Sequence, residues 1–412
     1  MAKLLKIALR NLLRYKRRTL LTTSLITLGV VFVLIFVSVT GSFKTMMIAQ
    51  NTDAMLGHLQ IHRKGYVASI DNLPLNLNLN AGAVERMEKI LAAQPEIVAY
   101  SPRIKFGAMF STFVETTNIR LNGIDPAREF RTVPLLPERI LAGDKELERG
   151  EIWIPELLAK GMKVKIGDTV VIVATNQEGS VNGRQFKVAG VLESATGPGG
   201  RDGYITLEDA AEVLRMEGRQ ISEVALRLHD FNQLDVLSER LGTLLDQQLN
   251  PQGKPIFEVH TWEDLSPFFN VARMIDLMTF FMKLMLIAIV LVSIMNVMIM
   301  AVYERIREIG TIAAIGTQPG RILALFLLEG LSLGVAGAVL GNLIGTLVIV
   351  LVNVSHITYD FGRQKNLLLR AGIDPFEVFV LSLIVIVIAV VASLQPAFKA
   401  SRMEPIKALR HI

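Results

Sequence analysis

The sequence predicts a membrane protein: four transmembrane α-helices with a large α+β periplasmic domain inserted between the first and the second. Three observations predict it. No charged residue occurs in 19–43, 284–303, 330–359 or 378–398, and each run is long enough for a helix to cross a hydrocarbon core of roughly 30 Å. The runs are unevenly spaced, with over two hundred mostly polar residues between the first and second and short gaps between the others. The composition, 51% hydrophobic and 20% charged with a mean hydropathy of +0.43, suits membrane spans joined to a soluble domain.

Residues 1–18 carry Lys3, Lys6, Arg10, Arg14, Lys16, Arg17 and Arg18 without an acid, and Lys3, Lys6, Arg10, Arg14 and Arg17 recur at spacings of three and four, opposite Leu4, Leu5, Ala8, Leu9 and Leu12. This predicts a basic amphipathic helix in the inner membrane interface, leading into a first span at 19–43. The span is longer than a signal-peptide core and is followed by no cleavage site. The segment 399–412 is also basic, so both ends are assigned to the cytoplasm by the positive-inside rule. The region between the first two spans, 42–270, has 24 Lys+Arg against 30 Asp+Glu, whereas the whole chain is +5. The cations therefore flank spans, which points to anionic lipid headgroups and not to nucleic acid. The absence of cysteine excludes disulfides and thiolate chemistry.

Within the periplasmic domain, 44–270, period-two alternation predicts strands at 57–62, 98–106, 117–122, 223–228 and 257–260. A hairpin is predicted from 169–174 and 185–192, its connection holding Asn182-Gly183. Helical spacing predicts helices at 83–93, 207–216 (with Thr206 as N-cap) and 234–249. The order suggests an α/β subdomain from 45–125 and 205–265 with a β-rich insertion at 126–204. The second span, 271–303, begins with Arg273, Asp276 and Lys283 among apolar residues, which predicts a helix emerging above the bilayer. A third span covers 322–354, where Gly337, Gly341 and Gly345 form a small-residue face for close helix packing. A periplasmic loop at 355–375 and a fourth span at 376–398 complete the plan.

The usual catalytic signatures are missing. No P-loop motif and no Gly-x-Ser-x-Gly elbow occurs. The glycine-rich 196–203 precedes a strand, which makes it a loop. His58 and His62 are read as neighbours of Gln60 on the exposed face of a strand, without the further ligands a metal needs. Asp276 and Glu329, at span margins, are read as interfacial acids without an intramembrane basic partner that would suggest a proton relay.

The segment 304–318 is different. Tyr303–Gly316 reads as a short amphipathic helix between two spans, with Ile309, Ile312, Ala313 and Gly316 on one side and Glu304, Arg305, Arg307 and Glu308 supplying charge. Gly316 suits the helix stop and Pro319 the first turn of the next helix. Such a helix is suited to dock in a partner's groove and carry its motion.

The pattern Glu304-Arg305-x-x-Glu308-Ile309-Gly310-x-x-x-Ala314-x-Gly316 resembles the coupling-helix signature of ABC permeases of the MacB and lipoprotein-releasing (LolC/LolE) type. Pro396-Ala397-x-Lys399-Ala400-Ser401-Arg402-x-x-Pro405-x-x-Ala408-Leu409-Arg410 is similar to that family's ending, and 121–126 and Gly167-Asp168 have counterparts in its exported domains. The resemblance implies a bacterial inner-membrane permease in which two permease chains, identical or paralogous, pair with two copies of an ABC ATPase. ATP and magnesium would be used by that partner and no cofactor by this chain. Closure of the ATPases would be passed through the coupling helices to the heads, a mechanotransmission. It further implies lipoprotein extraction from the outer leaflet, with acyl chains contacted by apolar residues on the first two spans; Phe36, Phe43, Met46, Met278 and Phe281 are the candidates. Some members recruit a periplasmic carrier by a long hairpin, whose equivalent here, 176–184, is short. Two other readings share the plan: a tripartite exporter of drugs, peptides or toxins that uses a periplasmic adaptor, and an ATP-driven regulator of a cell-wall hydrolase.

Overall fold

The computed structural model describes residues 2–194, 201–361 and 364–404, so most of the glycine-rich 196–203 loop and the last residues of the C-terminal motif lie outside the described residues. The chain forms two compact units.

The first unit, 1–45, 272–360 and 366–412, is helical. Helix α1 (Ala2–Arg14) is separated from α2 (Lys16–Asn51) by a break at Tyr15. After the head come α9 (Phe268–Glu304), α10 (Ile306–Ala314), α11 (Pro319–Val354) and α12 (Pro375–Ser401), and a ribbon of β11 (Thr358–Phe361) and β12 (Gln364–Leu368) joins the last two. Helices α2, α9, α11 and α12 are long and apolar enough to cross a membrane. Their shared core includes Ile26, Val30, Leu286, Val290, Phe326 and Val385.

The glycines of α11 explain how closely its neighbours pack. A Cβ on Gly337, Gly341 or Gly345 would fall 2.5, 2.6 or 2.7 Å from Ile26, Val30 and Leu34 of α2. Earlier on the same stripe, Gly334 faces Ala389 of α12 at 2.5 Å by the same measure. One stripe of α11 thus lacks side chains where residues of two neighbours enter, branched ones from α2 and an alanine from α12.

The second unit is the head, 46–271 with 361–365. Its sheet has ten strands: β1 (Leu59–Arg63), β2 (Ile97–Ser111), β3 (Thr116–Ile124), β4 (Ile140–Gly143), β5 (Glu151–Pro155), β6 (Thr169–Thr175), β7 (Val181–Leu192), β8 (Asp202–Thr206), β9 (Glu223–Leu228) and β10 (Phe257–Thr261). The order is β10-β1-β9-β2-β3-β8-β5-β7-β4, and β6 bridges β2 and β7. The long β2 pairs with β9, β3 and β6, while β3–β8 and β5–β7 are parallel. Helices α3 (Ala81–Ala92), α4 (Pro126–Thr132), α5 (Glu156–Gly161), α6 (Leu207–Val213), α7 (Leu234–Asp246) and α8 (Trp262–Leu265) complete it. Local capping sets three of their starts. Asn80 accepts from the Ala83 amide, Asp125 from Ala127 and Arg128, and Thr206 from Asp209.

Several sequence expectations shift. The hairpin turn of β6 and β7 is 176–180, not Asn182-Gly183, which lies within β7. Asn176 wins because its side chain accepts from the Glu178 and Ser180 amides, while Gly179 takes φ +83°. Helix α6 stops at Val213, short of Met216. His58, Gln60 and His62 are all buried, because β10 and β9 cover β1 on both edges and side chains cover its faces.

The burial of β1 creates an ionic network inside the head. Arg103 lies 2.6 Å from Glu129 and 3.0 Å from Glu223, and Lys105 reaches Glu223 at 2.9 Å. His62 Nε2 is 3.6 Å from Glu223, and its ring stacks on Tyr66. Burial alone would raise the Glu223 carboxyl, but Lys105, His62 and Arg103 together hold it well below the usual range. Burial lowers the His62 imidazole below its ordinary value.

Candidate coupling site

The link between the second and third apolar helices is built by two breaks. Helix α9 ends at Glu304, and Arg305, at φ −111° and ψ 16°, redirects the chain into α10. Gly316, at φ +92°, ends that helix, and Pro319 opens α11. The α-helix therefore starts at Ile306, three residues later than the Tyr303–Gly316 pattern suggests.

Helix α10 buries Ile306, Ile309 and Gly310, with Ala313 half-buried. Ile312 and Gly316 point outward, contrary to the expected single face: Gly316 lies past the helix end, and Ile312 is rotated away from the 306–309–313 line. The outer face consists of Arg307, Thr311, Ile312, Ala314 and Ile315, the last 79% exposed.

The charges of the motif are engaged within the chain. Arg305 is 5% exposed, and its Nη1 donates to Glu329 Oε1 at 2.8 Å while its Nε donates to Glu308 Oε2 at 3.2 Å. Asn11 of α1 donates to the same Glu329 oxygen at 2.7 Å. Arg18 of α2 pairs with Glu304 at 2.6 Å, and Arg14 of α1 with Glu308 at 3.3 Å. Glu304 at the end of α9 thus ties α2, Arg305 at the bend ties α11 and Glu308 of α10 ties α1, while Lys399 of α12 adds a bond to Tyr303 at 3.1 Å.

This corrects the reading of Glu329 and adds a partner to the exposed Asp276. Glu329 is buried, ten residues inside α11, and its partner is Arg305. Asp276 pairs with Lys44 at 2.6 Å, tying α2 to α9. The partners are 24 and 232 residues away in sequence, so spacing could not reveal them. The one available signal was an acid beside an apolar run, which requires a partner when buried. Of the apolar cargo candidates, Phe36, Phe43 and Met46 are half-buried on α2, whereas Met278 and Phe281 on α9 are 50% and 58% exposed. Among the described residues, no group of three or more His, Asp or Glu side chains is placed to hold a metal ion.

Among the described residues, four apolar helices, a ten-stranded head after the first of them and a short helix after the second give the plan of a multi-span membrane protein. Family comparison makes this specific. A family model described as MacB-like periplasmic core domain matches residues 19–244, over half of the chain, and one described as FtsX-like permease C-terminal matches 280–405. The chain belongs to the MacB/LolC family of ABC-transporter permeases. The "Lipoprotein-releasing system transmembrane protein LolC" of Neisseria meningitidis is 24% identical over 95% of this chain and 94% of its own length. The "Macrolide export ATP-binding/permease protein MacB" of Nitrobacter winogradskyi is also 24% identical over 95% of this chain, but over 58% of its own length. Among solved structures, the periplasmic region of MacB from Actinobacillus actinomycetemcomitans covers 52% of this chain and 94% of its own, with 15% identity and a TM-score of 0.38.

Proposed function

We propose that this chain is the permease subunit of a lipoprotein-releasing ABC transporter, with α10 as the helix through which an ATPase drives it. The observation that carries the coupling role is the division of α10. The charged bend 304–308 at its start is held to α1, α2 and α11, while Thr311, Ile312, Ala314 and Ile315 stand outward. A helix held in this way moves with the spans, and an exposed apolar tip gives a partner something to grip. Both termini and α10 are cytoplasmic in this proposal, and the head is periplasmic. Two such permeases work with two ATPase copies, which supply the nucleotide site that these 412 residues lack as a P-loop motif. Cargo lipoproteins leave the outer leaflet of the inner membrane by mechanotransmission, and a periplasmic carrier receives them.

The LolC relative aligned along 95% of the chain supports the lipoprotein reading. The MacB relative aligned over the same share supports a second reading, export of small molecules or peptides with a periplasmic adaptor. Purification of the complex from its native membrane, followed by mass spectrometry of partner chains and bound molecules, separates them. Acylated proteins with an ABC ATPase are expected. An adaptor without acylated proteins would establish the second reading instead.

A further inference from the structure

The coupling site makes no use of a cavity of about 200 Å³ in the head. One wall is mainly apolar, with Met55, Leu56, Ile70, Leu73 and Phe268 beside Asp71. The opposite wall is polar, with Lys105, Arg120, Asn122, Asp202 and Tyr204, and Arg103 behind them. The cations there are already matched: Arg120 Nε lies 2.6 Å from Asp202, and Lys105 and Arg103 share Glu223.

This arrangement selects among ligand chemistries. A free anion would gain little from cations that already hold carboxylates, and it would face Asp71 and Asp202. An alkyl chain would cover the polar wall without replacing its hydrogen bonds with water. A polypeptide satisfies both walls, since its backbone carries donors and acceptors while one bulky side chain occupies the apolar lobe. The volume, about that of seven waters, suits one side chain with its flanking peptide groups and falls below that of a drug-sized pocket.

The cavity also borders both chain segments through which the head continues into apolar helices. Asn51, Met55 and Leu56 belong to the end of α2 and the π-helical turn Thr52–Leu56 that follows it, and Leu265–Phe268 lead into α9. A π-turn is a rare departure from α geometry found often at functional sites. Leu73, on the apolar wall, has φ +47°, a conformation costly for leucine.

We propose that this cavity binds an extended polypeptide segment of the cargo through one bulky apolar side chain, and that its occupation bears on both links to the spans. The lipoprotein reading above names the segment: the peptide that follows the acylated N-terminal residue. The cavity assignment itself requires only a peptide.

The chain has no cysteine, so Ile70→Cys takes a benzophenone maleimide as its sole label, with Val236→Cys, 61% exposed on α7, as control. The full-length chain in phospholipid vesicles is photolysed with one of two probes, a diacylated decapeptide carrying an internal leucine or the same peptide without acyl chains. Peptide capture at Ile70→Cys is expected to exceed the control at least tenfold. Leu73→Asn, which suits the left-handed backbone and makes the wall polar, is expected to lower capture at least fivefold while the head stays folded. Equal capture at the two labelled positions, labelling of phospholipid alone at Ile70→Cys, or undiminished capture in Leu73→Asn overturns the cavity assignment. Peptide capture in a chain whose native complex holds no acylated protein upholds the cavity and removes the lipoprotein reading.

Discussion

The two ionic networks of this molecule differ in where they end. In the head, Arg103, Glu129 and Glu223 are all nearly solvent-free, and the network closes on itself between strands β2 and β9 and helix α4. At the coupling site the network starts at the buried Arg305–Glu329 pair and runs outward through Glu308 to Arg14, whose side chains are 44% and 68% exposed. Buried ion pairs are costly to break because the remaining charge is stranded, whereas exposed pairs contribute little and are screened by salt. The head network is therefore a strut with every member fixed. The coupling network is a joint, firm at its root and adaptable at its tip.

Breaking the buried roots has the largest expected effect. Glu329→Leu leaves the buried Arg305 guanidinium with only the half-exposed Glu308 and is expected to cost ~3–5 kcal/mol, read as a lower thermal midpoint in detergent. The double variant Arg305→Met/Glu329→Leu removes both charges and should regain much of that loss. A double variant no more stable than the single one would remove the pair as the anchor. In the head, Glu223→Leu should cost a similar ~3–5 kcal/mol, but Arg103→Met/Glu223→Leu should regain little, because Glu129 and Lys105 then lose their partners. If both doubles recover equally, the contrast between strut and joint is wrong.

At the free end of the joint, Ile315→Asp is expected to weaken co-purification of the ATPase at least tenfold, about 1.4 kcal/mol, with the thermal midpoint unchanged. Unaltered association would remove α10 as the docking helix.

Acid separates the two networks further. The unfolded chain protonates His62 near its ordinary value of 6.5, while burial keeps the folded imidazole neutral to lower pH. The unfolded state thus binds more protons just below that value, so the stabilisation is complete above pH 6.5 and declines as pH falls through the lowered folded value. Glu223 acts at lower pH: its stabilisation is present above the ordinary carboxylate value of 4.5 and is lost in stronger acid. Trp153 and Trp262, the chain's two tryptophans, both lie in the head, so their fluorescence reports it alone. The head's unfolding midpoint should fall between pH 7 and pH 5, and His62→Gln should flatten that slope. The coupling network contains no histidine and should contribute nothing there. The smallest effect belongs to Arg14→Ala, which removes an exposed pair and should change stability by at most ~1 kcal/mol.

The helical plan was legible because its signals are local. An uncharged run of span length has one low-energy use, and caps such as Thr206 and breaks such as Gly316 act on their nearest neighbours. The same logic located the strand Glu223–Leu228 to the residue. It failed where two local signals competed, as at Asn176 against Asn182-Gly183. It also failed for β4, β5 and β8, which lack strong alternation and take their place through partners contributed from elsewhere, antiparallel for β4 and parallel for β5 and β8.

By itself, the sequence determined four apolar helices, the inserted head, the small face of α11 and the position of α10. Each follows from side-chain polarity or backbone preference within a few turns of chain. Only the tertiary structure decided that Glu329 is buried beside Arg305 and Asn11, that β1 is covered on every side, and that a cavity opens between the links to the spans. The reason is that a charge or a void has no local signature. Whether a carboxylate is solvated or sealed depends on residues brought to it by folding, in the case of Asn11 from 318 positions away.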